Sequence, residues 1–186
     1  RYTLPLHWRK PRRVAVSFMG DLFGKWNDDE HGVAHTRLIM ETVSFCPEHT
    51  FLFLTKHPES LSHFNPWPVN AWVGISLTGA ETPERQGAML SALEAVKGAG
   101  VRWLSYEPAL GPLAFSLPDG LDWVVVGAQS GKGALPFDPQ WLERVYEWEF
   151  ESHICTRFIW EKDNMACYMN RRLVQELPDV VAAPRV

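Results

Sequence analysis

The chain has 186 residues, 46% hydrophobic and 22% charged, enough to bury one domain's core and far from the polar composition of disordered chains. Its formal net charge of −4 argues against a general polyanion binder, and no apolar run approaches the ~18 residues that cross a bilayer. A single α/β domain over 1–186 is therefore expected, cytoplasmic, with no membrane contact and a basic amino-terminal arm at 1–13 that holds Arg1, Arg9, Lys10, Arg12 and Arg13.

Past the arm, the first β-rich apolar run is Val14–Met19. A helical pattern over Val33–Phe45 follows, with Ile39 and Val43 on one face and Pro47 as its stop. The second and third runs are Phe51–Thr55 and Trp72–Leu77. Thr82-Pro83 then opens a helix as N-cap and first helical residue, which Gly98 and Gly100 end. After the runs Val101–Tyr106 and Trp123–Val126, Asp138-Pro139 repeats that start for a helix with Trp141, Leu142, Val145 and Trp148. The last run is Arg157–Trp160.

The six runs are nearly continuous rather than alternating, as in strands covered on both faces, and helical stretches separate them. The expectation is a parallel six-stranded partial (β/α)6 TIM-like barrel or an open sheet, since a complete barrel needs about 250 residues. Four of the nine tryptophans, Trp72, Trp103, Trp123 and Trp160, fall in strand runs and are expected to pack between layers. Cys46, Cys155 and Cys167 are odd in number and lack CxxC spacing, so they read as reduced thiols. His31 and His35 form the sole pair at ligand spacing, in what reads as a loop entering a helix, and no metal held by this chain's own side chains is expected.

In parallel α/β folds ligands gather where the strands end, because the following loops and helix starts converge there. The strand ends here are polar: Asp21 lies beyond the first, Lys56 beyond the second, Ser76 in the third, Glu107 after the fourth, Gln129 after the fifth, and Glu161 with its neighbour Lys162 after the sixth. Asp21, Lys56, Ser76, Glu107, Gln129 and Glu161 are expected to share one cleft, with Lys56, Glu107 and Glu161 as candidate catalytic residues. Glu107 then needs a donor, Lys56 being the favoured one and a backbone amide the fallback. The glycine-rich turn Gly127–Gly133 lacks the Walker pattern and reads as a tight loop under a ligand.

The strings Phe18-Met19-Gly20-Asp21-Leu22-Phe23, Leu54-Thr55-Lys56-His57-Pro58-Glu59, Trp72-Val73-Gly74-Ile75-Ser76 and Ser105-Tyr106-Glu107-Pro108-Ala109-Leu110-Gly111-Pro112 are specific, and matches run in order from about Pro5 to Pro178. On these residues the chain resembles the bacteriophage gene-product thirty-seven/sixty-eight family, which is similar to radical S-adenosylmethionine enzymes. The resemblance implies a partial (β/α)6 barrel with S-adenosylmethionine at its top: Met19, Gly20 and Asp21 near the amino-acid end, and Ser76, Arg85 and Gln129 as further cofactor-binding positions. Family members carry an amino-terminal cysteine cluster that does not occur here, so a [4Fe–4S] cluster is implied only if an upstream segment supplies its thiolates. Gln129 also stands where the family usually has Glu in Gly-Gly-Glu-Ser.

Three functions remain open at this point. The first is a radical S-adenosylmethionine-like barrel, or its cluster-free remnant, acting on a nucleic acid or nucleotide. The second is a metal-independent acid/base barrel enzyme using Lys56, Glu107 and Glu161. The third is a non-catalytic nucleic-acid-binding module in which the basic arm grips phosphates and Trp8 stacks on a base.

Overall fold

The computed structural model describes residues 2–25, 29–151, 158–169 and 171–178. Six strands form one sheet: β1 (Arg13–Val16), β2 (Thr50–Thr55), β3 (Ala71–Leu77), β4 (Val101–Ala109), β5 (Trp123–Ala128) and β6 (Phe158–Glu161). Their order across the sheet is their order in the chain, and every neighbouring pair is parallel. The sheet is not closed, since β1 and β6 do not pair. The free side of β6 is covered by the segment after it, where Glu161 N–H donates to Val174 O and Glu176 N–H to Ile159 O, each at 2.8 Å.

Parallel neighbours that follow one another in sequence need crossovers of one hand, which puts every connecting helix on the same face. The three helices obey this: α1 (Glu30–Ser44), α2 (Pro83–Glu94) and α3 (Glu143–Glu151). They bury Met40 and Val43, Met89 and Leu93, and Val145 and Trp148 against Phe51, Phe53, Val73, Ile75, Leu104, Val124 and Ile159 of the sheet. Among the described residues, none of the helices is long and apolar enough to cross a membrane.

Side chains alternate along a strand, so the other residues form a second, helix-free face. Leu52, Leu54, Trp72, Val101, Trp103, Trp123, Val125, Phe158 and Trp160 pack together there. This corrects the expectation for the tryptophans, which lie on each other rather than between sheet and helices. The rings of Trp72 and Trp123 meet at 5.7 Å and those of Trp103 and Trp123 at 5.3 Å. Gly74 makes this possible, because a Cβ there would stand 2.4 Å from the Trp103 ring. The runs read as covered on both faces because helices cover one and indoles cover the other.

The element boundaries moved for local reasons. β1 stops at Val16, short of Met19, because Ser17 takes the left-handed conformation (φ 57°) and turns the chain back. α1 starts earlier than Val33, since the Asp29 side chain accepts from Gly32 N–H at 2.7 Å, and His31 and His35 are both helical. α2 ends at Glu94, before the glycines. Asp138 caps a 3-10 turn, Pro139–Leu142, that feeds α3. Arg157, Arg1 and Cys155 lie outside the described residues.

Candidate functional site

Carried one step further, the alternation of the helix-free face reaches the carboxyl edge of the sheet. Leu52 and Leu54 lead to Lys56, Trp72 and Gly74 to Ser76, Val101 and Trp103 to Ser105 and Glu107, Trp123 and Val125 to Gly127, and Phe158 and Trp160 to Lys162. A polar rim thus borders an aromatic floor. Ser76 and Ser105, which are register partners, are both buried. Above β1 the loop that begins at Ser17 sets the half-exposed Phe18 ring nearly parallel to Trp103, with centroids 6.3 Å apart. A cavity of about 190 Å³ opens at this edge, lined in part by Phe18, Met19, Gly20, Leu54, Lys56 and Ser76.

Glu107 is paired, but with Lys162 rather than Lys56: Nζ donates to Oε1 at 2.5 Å. The reason is Gly127. The Glu107 carboxyl occupies the space that a Cβ at 127 would fill, 2.9 Å from Cδ, so the side chain leans over β5 toward β6. The ladder between β4 and β5 is interrupted between Tyr106 and Ala109, which frees Glu107 from regular pairing. Both side chains of the pair are partly exposed, at 29% and 44%, so the pair adds little stability and stays accessible to a ligand.

The other expected site residues are placed differently. Glu161 points to the helix side, fully buried, one residue before Lys162 and therefore on the opposite face. Its Oε1 accepts from Tyr146 Oη and from Arg171 Nη2 at 2.6 Å, and its Oε2 from Arg171 Nη1 at 3.1 Å and Val174 N–H at 2.8 Å. The Tyr146 hydroxyl is pushed up from its ordinary value, first by burial and then by the Glu161 carboxylate. Such a saturated carboxylate holds the tail segment on β6 and is not offered to the cleft. Asp21 is equally occupied: Oδ1 accepts from Phe23 N–H at 3.0 Å and Thr55 Oγ1 at 2.7 Å, and Oδ2 from Lys56 N–H at 2.8 Å. Gln129 closes its own loop by accepting from Leu135 N–H at 2.8 Å.

Arg85, in the first turn of α2, pairs with Glu59 and donates from Nη2 to Lys56 O at 3.0 Å. Burial pushes the Glu59 carboxyl up, but the hydrogen bond and charge of Arg85 outweigh it and hold the group below its ordinary value. Met19 is fully exposed, and Gly20 closes a turn by donating to Ser17 O at 3.0 Å. The edge therefore brings together Asp21, Lys56, Ser76 and Glu107, with Met19 and Gly20 at its margin and the Asp21 carboxylate already satisfied, and leaves out Arg85, Gln129 and Glu161. It adds Ser105, Lys162 and Phe18. Lys162 and Ser105 were readable from the alternation with Trp160 and Trp103; Phe18 depends on the Ser17 turn, for which no sequence signal exists.

Two cations of the basic arm lie over aromatic rings. The Arg12 guanidinium lies 4.6 Å from the Trp8 ring, which also meets the buried His49, and Arg13 lies 5.8 Å from Trp72. A larger cavity, about 460 Å³, opens on the helix side between α1 and the 58–64 turn, but Lys56, Glu107 and Lys162 do not line it. Cys46 is buried, and its thiol is raised first by burial and then by Glu48, while Cys167 is exposed. Among the described residues no three His, Cys, Asp or Glu side chains stand together as a metal site.

A family model described as a protein of unknown function, DUF5131, matches residues 1–163. No curated protein and no solved structure matches the chain.

Proposed function

We propose a function from the premise that the chain belongs to the DUF5131 family: its helix-free face, at the carboxyl edge of the sheet, binds a nucleoside-type ligand, and Glu107 with Lys162 handles a proton there. The sheet is then the wall of a partial (β/α)6 barrel, and the indole-lined face is its inside. The observation that carries this reading is the Glu107–Lys162 pair, seated over Gly127 beside buried serine hydroxyls and an aromatic floor. A planar base needs an aromatic surface, its sugar needs hydroxyl partners, and a reacting group needs a donor and an acceptor side by side.

The chemistry of the pair follows from its geometry. Lys162 Nζ holds a proton against Glu107 Oε1. A ligand hydroxyl or ring N–H that enters between them meets the carboxylate as acceptor and the ammonium as donor, so the proton leaves one side as another is supplied on the other. Ser76 and Ser105 orient the ligand, and Phe18 covers it from water.

S-adenosylmethionine, which the resemblance to radical enzymes implies, is one ligand of this type. The half-exposed Phe18 ring suits its base, and Ser76 and Ser105 suit its ribose. When bound it supplies a sulfonium whose carbon substituents are activated for transfer. No step on these residues passes through a cluster. The same resemblance supports a phage-related role on a nucleotide or nucleic acid. The metal-independent acid/base reading shares the Glu107–Lys162 pair, while Trp8, covered by Arg12, counts against the arm as a stacking module.

Titration calorimetry with adenosine and with S-adenosylmethionine tests the proposal. Saturable binding is expected, abolished by Ser76→Leu, which fills the cavity, and weakened by Glu107→Gln. Binding that neither substitution changes, or no binding of either compound, would refute it.

A further inference from the structure

Lys56 is held in an unusual way for an exposed lysine. Its N–H donates to Asp21 Oδ2 at 2.8 Å, and its C=O accepts from Arg85 Nη2 at 3.0 Å. Two charged side chains, one from the loop after β1 and one from the first turn of α2, thus clamp the backbone of a single residue. The clamp is itself braced. Asp21 is fixed by Thr55 Oγ1, which in turn accepts from His57 N–H at 2.8 Å, and Arg85 is fixed by Glu59.

The side chain these groups position is left to the cleft. Lys56 lines the 190 Å³ cavity with Phe18 and Ser76, and among the described residues no carboxylate pairs with its ammonium. The carboxylates nearest in sequence are already committed: Asp21 to backbone and hydroxyl donors, Glu59 to Arg85. Glu107, on the same rim, is taken by Lys162. An exposed ammonium whose backbone is clamped, beside a small cavity where the Asp21 carboxylate is already satisfied by backbone and hydroxyl donors, is complementary to an anion.

We propose that Lys56 recognises an anionic group, phosphate or carboxylate, on the ligand of the cleft, and that Asp21 and Arg85 are positioning residues that hold it there. The inference rests on the reading of the carboxyl edge as a nucleoside site and names the class within it: a nucleoside that carries a negative charge. Lysine suits the task because its compact ammonium meets an anion without demanding a fixed bidentate geometry.

The test compares adenosine with adenosine 5′-monophosphate, which differ by the phosphate, on the full chain. The wild type should bind the monophosphate more tightly by about tenfold, as expected for one charge-assisted contact, and the ratio should shrink as salt rises. Lys56→Met should bring the ratio near one, and Lys56→Arg should keep most of it. Arg85→Gln, at a residue outside the cavity, should lower the ratio without touching adenosine binding, which a merely structural role would not do, and Asp21→Asn should lower the ratio too. Should Asp21→Asn fail to fold, Arg85→Gln carries the same comparison. Equal affinities in the wild type, or a ratio that survives Lys56→Met, would overturn the anion site while leaving the nucleoside site standing. Equal loss of both ligands in Lys56→Met would make the residue structural and overturn it too. If neither compound binds the wild type, both readings fall together.

Discussion

Replacing Glu161 with glutamine tests whether this carboxylate is structural. The wild-type group is fully buried and accepts from Tyr146 Oη, both Arg171 terminal nitrogens and Val174 N–H. Glutamine keeps one acceptor oxygen and turns an NH2 toward two of those donors, so at least two bonds are lost and a buried donor is left facing another. Hydrogen bonds to charged groups are worth about 1.5–3 kcal/mol each, and losing two would cost about 3–6 kcal/mol. Arg171 is 39% exposed and re-solvates, which lowers the figure to about 3 kcal/mol. For a chain of this length that corresponds to a fall of roughly 6–12 °C in Tm. Thermal unfolding followed by tryptophan fluorescence measures it, and hydrogen exchange should quicken at Val174 and Glu176, whose amides tie the tail to β6. A fall of less than about 2 °C, below the ~1 kcal/mol of a single neutral bond, would refute the structural assignment.

Gly127→Ala puts a methyl group in the space of the Glu107 carboxyl; the side chain can swing away, so stability should change by under about 1 kcal/mol, as for exposed ion pairs, while binding at the edge is lost in the same calorimetric titration. Glu149→Gln probes pH. Burial, then the charges of Glu176 and Glu161, raise the Glu149 carboxyl above its ordinary 4.5, against the pull of Arg171. The folded protein therefore binds this proton more tightly than the unfolded chain, and stability is lost as pH rises from the ordinary carboxyl range through the folded value. The variant should unfold at higher urea than wild type at pH 7 and converge with it below about pH 4; a gain that persists in acid contradicts the sign. Finally, a thiol reagent should label exposed Cys167 well before buried Cys46 in the native state, as peptide mapping would show, and equal rates would contradict the burial of Cys46.

The strand order could be read from the apolar runs, and helix starts at Thr82 and Asp138 from their capping residues, because these are local signals. The site was harder. Treating every polar residue just past a strand as facing one cleft ignores that one step along a strand reverses the side chain. Glu161 and Lys162 show the consequence: adjacent in sequence, one is sealed in the helix-side core and the other pairs with Glu107 on the opposite face. Counting by twos from Trp160 would have separated them. The choice of Lys162 over Lys56 as partner was not legible, because it depends on the missing Cβ of Gly127 on β5, one strand from the segment of Lys162 and three from that of Lys56. The resemblance implies Asp21 and Arg85 as cofactor-binding positions; in the structure both hold the backbone of Lys56, a contact between segments far apart in the chain that no local pattern encodes.

The tryptophans report on the two faces separately. Trp103 and Trp160 lie on the helix-free face beneath the proposed site, whereas Trp67 and Trp148 lie in the helix-side core. An NMR titration of protein labelled with 15N in its indoles, using adenosine 5′-monophosphate, therefore asks where a nucleotide sits. Saturable shifts of the Trp103 and Trp160 indole signals with Trp67 and Trp148 unmoved is the predicted result; shifts confined to Trp67 and Trp148, or none at saturating ligand, would contradict a nucleoside site on this face.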